Sequence, residues 1–181
     1  MSDVEMNSVF HILPHLQANG PHPAYQDKLA LFGQFVGDWD MQIEFFNKDG
    51  SSFLRIPGAW SFSWVLDGRA IQDVFMCADL QDPTKNAEGV RRIGTTLRHY
   101  NPKADTWQAV YLGATSGDMF VFTAQPVKDE IWLEGKEGDS ALIRWIFSDI
   151  RADHFHWRGM TSADNGQTWR MEQEMFGARR A

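Results

Sequence analysis

The sequence predicts an all-β fold: an antiparallel up-and-down barrel of eight to ten strands with a short N-terminal helix covering one end. Three observations carry this. After a single stretch of near-helical spacing, apolar and polar residues alternate with a period of two along most of the chain. Turn signals rich in Asn, Asp, Gly and Pro separate these runs at short, regular intervals. No helical pattern lies between the runs, so neighbouring strands join by hairpins, and closing the sheet removes its exposed edges.

The elements follow in order. Residues 1–23 have weak periodicity and contain Pro14, Gly20, Pro21 and Pro23. They read as an extension before a barrel domain over residues 24–181. Phe10, Ile12, Leu13 and Leu16 in it need cover, from the barrel or from a second copy in a homodimer. Residues 24–36 place Leu29, Leu31, Phe32, Phe35 and Val36 at near-helical spacing after Pro23. The period then changes. Trp39, Met41, Ile43 and Phe45 alternate with Asp40, Gln42 and Glu44 as in a half-buried strand. Further strands are expected over 58–66, 69–77, 90–100, 107–114, 119–124, 130–135, 141–148, 154–161 and 168–176. The polar segment 79–89 reads as a loop.

Composition narrows the function. The chain has 181 residues, enough for one sizeable core, and 43% of them are apolar. Eight Trp and 13 Phe must be buried in a core, a ligand cavity or an interface. A net charge of −7 and the lack of any long Lys/Arg run argue against nucleic acid and anionic membranes as partners. The one cysteine, Cys77, leaves no internal disulfide and no Cys-based zinc site. With no signal-peptide pattern and no long apolar stretch, a cytoplasmic location is expected.

Hairpin register assigns faces. Around Asp67-Gly68, Trp64 falls opposite Ile71, Phe62 opposite Asp73 and Trp60 opposite Phe75. That face is apolar apart from Arg69 and Asp73, so Asp73 is expected to point into an aromatic lumen unless a bulge or an ion pair re-aims it. Around Gly166, Arg158 is expected opposite Glu172 and His156 opposite Glu174. Phe155, Trp157, Trp169, Met171 and Met175 then face inward, and Trp145 and Phe147 join them. His154, His156 and Glu174 have the residue types of a metal site, but this register puts them outside in a salt-bridged row. No metal and no cofactor is expected. His11 and His15 lie in the Pro-containing extension. Arg92, Arg98, Tyr100, Trp107 and Tyr111 share one face of the 90–114 hairpin, and Leu97, Val110 and Leu112 the other. Which face is internal stays open.

Gly37-Asp38-Trp39 after a helical turn, the Leu66–Arg69 hairpin, the Tyr100–Trp107 turn and a terminal Arg resemble, in that order, lipocalin-like (calycin) barrels, including uncharacterised bacterial proteins. The resemblance implies that Trp39 plugs one end of the barrel, with Arg179 or Arg180 across its ring. It also implies a cavity, without naming a ligand. By analogy with fatty-acid-binding barrels, Arg98 and Tyr111 would anchor a polar group if their face is inside. Separately, residues 162–169 match the Asp-box pattern S-x-D-x-G-x-T-W, read here as a structural turn.

The leading functional expectation is binding of a small apolar or aromatic molecule by Trp60, Trp64, Phe75, Arg98, Tyr111, Trp145 and Trp157. One alternative is a cofactor-free isomerase, cyclase or lyase using Asp73 as acid or base. A carboxyl among aromatic rings is poorly solvated, and some calycin-like barrels are enzymes. A further alternative is a barrel filled by its own aromatics, with a structural or interaction role.

Overall fold

A computed structural model describes residues 16–78, 80, 91–138 and 141–181. Phe10, Ile12, Leu13, His11 and His15 lie outside the described residues. A 3₁₀ turn (Pro23–Tyr25) leads into helix α1 (Gln26–Gly33). Ten strands follow: β1 (Gly37–Phe46), β2 (Ser52–Val65), β3 (Ala70–Ala78), β4 (Arg91–Asn101), β5 (Thr106–Gly113), β6 (Met119–Val127), β7 (Glu130–Glu137), β8 (Ala141–Ser148), β9 (His154–Ser162) and β10 (Arg170–Arg179). Each pairs antiparallel with its sequence neighbours, and β1 pairs with β10 to close the barrel. No described helix is long and apolar enough to cross a membrane.

The helix is shorter than its apolar pattern suggests. Its last turn tightens into i→i+3 bonds, Phe35 N–H to Phe32 O and Val36 N–H to Gly33 O. Gly37 then turns the chain into β1 at φ +125°, and a Cβ there would lie 2.8 Å from Arg179 Nη1. The helix caps the barrel end formed by the start of β1 and the end of β10. Lys28 pins it from outside by an ion pair of 2.6 Å with Asp105, which also accepts from Tyr100.

Trp39 lies at this end, buried, with Nε1 donating to Phe35 O at 2.7 Å. Arg179 stacks on it with the guanidinium carbon 4.1 Å from the ring, the arrangement the resemblance implied. Arg180 turns outward to Asp40.

Strand β2 begins earlier than expected and contains Pro57. At that point β2 pairs only with β1, because β3 joins from Gly58 onward. A residue without an N–H is tolerated where one side of the strand has no partner. The β2–β3 hairpin keeps the expected register, Trp64 opposite Ile71, Phe62 opposite Asp73 and Trp60 opposite Phe75.

The β9–β10 register differs from the sequence expectation. Arg158 lies opposite Glu174, not Glu172, and His156 lies opposite Phe176, not Glu174. A bulge between Met171 and Gln173 shifts the register there. From Gln173 onward the ladder slips by two residues, so the faces survive there: Phe155, Trp157 and Met175 are buried. Before the bulge the slip is one residue, so Met171 stands opposite Met160, on the parity away from Trp157, and is only half-buried, against the expectation that it faces inward. Trp169 is a second exception. It precedes β10, belongs to the Asp-box turn, and packs on Arg144, whose guanidinium also covers Trp132 at 4.1 Å on the outer surface.

The open question of the 90–114 hairpin is resolved by burial. Thr96, Arg98, Trp107 and Ala109 are buried, whereas Leu97, Val110 and Leu112 are exposed. With Val74, Met119 and Val121 these last three form an apolar outer face on β3–β6.

Candidate functional site

The barrel interior has two halves. Beneath the helix, aromatic rings fill it. Phe35 lies 4.7 Å from Phe147 and 5.2 Å from Phe155, and Phe32 packs edge-on against Trp107 at 4.9 Å, all between ring centroids. This plug is a packed core.

Toward the other end, where β1 finishes and β10 starts, the interior opens into a cavity of about 120 Å³. Trp60, Phe75, Tyr111, Trp145 and Trp157 provide its aromatic wall. Trp60 meets Phe75 edge-on at 5.7 Å, and Trp145 meets Trp157 at 5.5 Å and Tyr111 at 5.2 Å. These residues converge because their strands place one side chain in two inside, and neighbouring strands repeat that parity. Space for Tyr111 comes from Gly94, where a Cβ would lie 2.6 Å from the phenol oxygen.

Asp73 and Arg98 sit at the boundary between the halves. Their side chains are 1% and 0% exposed and form an ion pair. Asp73 Oδ2 accepts from Arg98 Nη1, and Oδ1 accepts from Thr96 N–H at 2.9 Å. The Arg98 guanidinium carbon lies 5.3 Å from the Phe32 ring centre, 5.5 Å from Phe62 and 5.9 Å from Phe147. Asp73 borders the cavity; Arg98 lies on the plug side. A buried carboxylate is tolerable here because a guanidinium and a backbone amide both donate to it.

Of the residues singled out from sequence, Trp60, Asp73, Phe75, Tyr111, Trp145 and Trp157 come together around one cavity. Trp64 does not border it. Its ring lies under the helix, where a Cβ on Gly33 would approach it to 2.6 Å. Sequence reasoning overlooked Phe45, Thr96 and Ile143 in the wall and Glu172 and Gln173 in the lining. Phe45 shares parity with Trp39, and Ile143 with Trp145, so the alternation already carried them. Glu172 sits at the β10 bulge, which no local signal announces.

Tyr111 has its pKa raised, first by burial and then by the charges of Asp118, Asp73 and Cys77, with Arg92 opposing. The phenol therefore stays protonated across the neutral range. On the outer surface, His156 pairs with Glu174 at 3.0 Å and stacks on Phe176 at 4.4 Å. His154 pairs with Asp153 at 2.8 Å. Among the described residues, no three His, Cys, Asp or Glu side chains gather as metal ligands would.

No protein-family model matches this sequence. No curated protein matches it either. Solved structures do share its fold. One is CPES, an S-type phycobiliprotein lyase from Guillardia theta, with a TM-score of 0.57 and 12% identity over 84% of this chain and 92% of that one. Another is Rv2717c from M. tuberculosis, with a TM-score of 0.56 and 15% identity over 89% of this chain and 99% of that one. At such identities the likeness is one of fold: a closed antiparallel barrel.

Proposed function

We propose that this barrel binds a small apolar or aromatic molecule in the cavity opposite the helix. The observation that carries the reading is the contrast between the two halves. The helix end is filled by phenyl rings in mutual contact, while indole and phenol faces at the other end border open space. Aromatic rings left around a cavity offer stacking surface to a flat guest. The fold relationship to a phycobiliprotein lyase is compatible with a barrel that handles a small organic molecule.

The acid–base reading of Asp73 draws support from its place beside the cavity. The balance falls toward binding because both of its oxygens are already engaged, one by Arg98 and one by the Thr96 amide. A proton-transfer group needs an oxygen free to meet the substrate.

Titration of tryptophan fluorescence with apolar molecules graded from one ring to several tests the proposal. Saturable quenching by the smallest members is expected, since the tryptophans themselves form the wall. No saturable response from any member would leave the filled-barrel alternative.

A further inference from the structure

Apolar side chains are spread unevenly over the outside of the barrel. Eleven large hydrophobic side chains among the described residues are exposed, and seven of them, from Val74 on β3 to Met119 and Val121 on β6, share one face. The register sets them in adjacent rows. Val74, Thr95, Leu112 and Met119 form one row, and Gln72, Leu97, Val110 and Val121 the next. The outward positions of an antiparallel sheet that meets water are ordinarily polar. Single exposed apolar residues are common, whereas a contiguous patch marks a surface that another surface covers.

Charge says what kind of partner fits. Among the described residues, the outward positions of β3–β6 hold no Asp, Glu or Lys, and their basic residues, Arg91 and His99, stand toward opposite ends of β4. Elsewhere the outer surface carries ion pairs, such as Arg55–Glu44 at 2.9 Å, Arg144–Glu134 at 2.7 Å and Arg180–Asp40 at 2.6 Å. The polar side chains within the two rows are served inside the chain: Gln72 Nε2 donates to Thr95 Oγ1 at 3.1 Å, and Thr95 Oγ1 donates to Asp73 O at 2.5 Å. They ask nothing of a partner. A different protein is steered and held in register by complementary charges, and this face offers almost none. A two-fold pair is the opposite case. Residues near its axis meet their own copies, so a charge there would face a like charge. For a chain of net charge −7, the uncharged face is where two copies approach with least repulsion. Homodimer interfaces are also the more apolar class.

Size sets the strength. Four strands about 4.8 Å apart, with outward residues over about 20 Å, give a plane of roughly 400 Å². A stable complex takes about 800 Å² from each partner. Side chains standing off the sheet, and a rim of Ser61 and Ser63 on β2, add to the plane without taking it past that figure. The pair is therefore a concentration-dependent one.

We propose that the outer face of β3–β6 is a homodimer interface, in which two copies stack these sheets about a two-fold axis near Leu97 and Val110. The proposal stands apart from the cavity and does not need a guest.

Sedimentation velocity of the full chain, from low micromolar to submillimolar concentration, tests it. The parent should pass from the mass of one chain to that of two as concentration rises. Val110→Glu and Leu112→Glu change exposed positions and set like charges across the axis. Each should raise the dissociation constant at least about tenfold. Gln42→Glu adds the same charge to an exposed position on β1 and should dimerise as the parent does. Circular dichroism checks that each variant folds. Should a Glu variant not fold, Val110→Thr, close in shape and suited to a strand, should weaken the dimer several-fold. A parent that stays monomeric at every concentration would overturn the proposal. Urea unfolding would then say what covers the face: lost stability in Val110→Glu would assign it to another part of the same chain, and unchanged stability to a different protein. A dimer that Val110→Glu and Leu112→Glu leave intact would lie on another surface and overturn the proposal equally.

Discussion

Asp73 and Arg98 form an ion pair at the centre of the barrel with both side chains out of reach of solvent. Removing one partner leaves the other charged, buried and unpaired. Asp73→Leu and Arg98→Met should each lower unfolding stability by about 3–5 kcal/mol in urea denaturation. Asp73→Leu combined with Arg98→Met should cost clearly less than the sum of the single changes. Additive losses would mean that the two side chains act separately.

Arg179 ties the two ends of the described domain together. Besides stacking on Trp39, it donates to Val36 O at 2.8 Å, Gln34 O at 2.7 Å and Ala152 O at 2.6 Å. Arg179→Ala should cost about 2–4 kcal/mol, and Arg179→Lys should recover only part of it, because an ammonium lacks the planar fork. Thermal unfolding of the three proteins measures this. Full recovery by Lys would reduce the role of Arg179 to its charge.

The Asp-box turn shapes the acid limb of stability. Asp164 accepts from Thr168 Oγ1 at 2.6 Å and Thr168 N–H at 2.9 Å, and its pKa falls from 3.8 to about 2. A lowered pKa means that the folded state prefers the carboxylate. The stabilisation is therefore complete above about pH 4 and is lost as pH falls through about 2. Asp164→Asn should flatten the stability–pH curve in that window and leave its slope at neutral pH unchanged. An unaltered acid limb would contradict the assignment.

Tyr111 acts at the other extreme. Its raised pKa means that the folded barrel prefers the neutral phenol. This contribution is present below the ordinary value of 10.0 and is lost as pH rises through the higher folded value. Tyr111→Phe should keep more of its stability than the parent in alkaline solution, as followed by circular dichroism. Equal alkaline losses in both would place the phenol in water.

Much of this architecture was legible in the sequence for a local reason: an even loop preserves parity. Leu66–Arg69 turns with an even number of residues, so Trp60, Phe62 and Trp64 kept their expected partners. The β9–β10 register was not legible, because a bulge near Glu172 depends on how the strand bends in the closed barrel. Trp169 misled for a related reason: alternation was extended into a turn held by Asp164. The face of the 90–114 hairpin was undecided because each side carried both apolar and polar residues. The deciding information lay on another strand. An inward Asp73 needs a countercharge, and Arg98 two residues beyond its neighbour Thr96 supplies one. Trp64 shares the parity of Trp60, yet its height along the barrel puts it beneath the helix rather than beside the cavity.

The central claim is that the end of the barrel opposite the helix is an open, guest-binding space while the helix end is filled. A crystal of the protein held under xenon tests this most directly, because xenon enters apolar cavities without needing a polar contact. The account predicts xenon between Trp60, Trp145 and Trp157, and none among Phe32, Phe35 and Phe147. Absence of xenon from the first position, with the three indoles closed against one another, would contradict it and make this a barrel packed along its whole length.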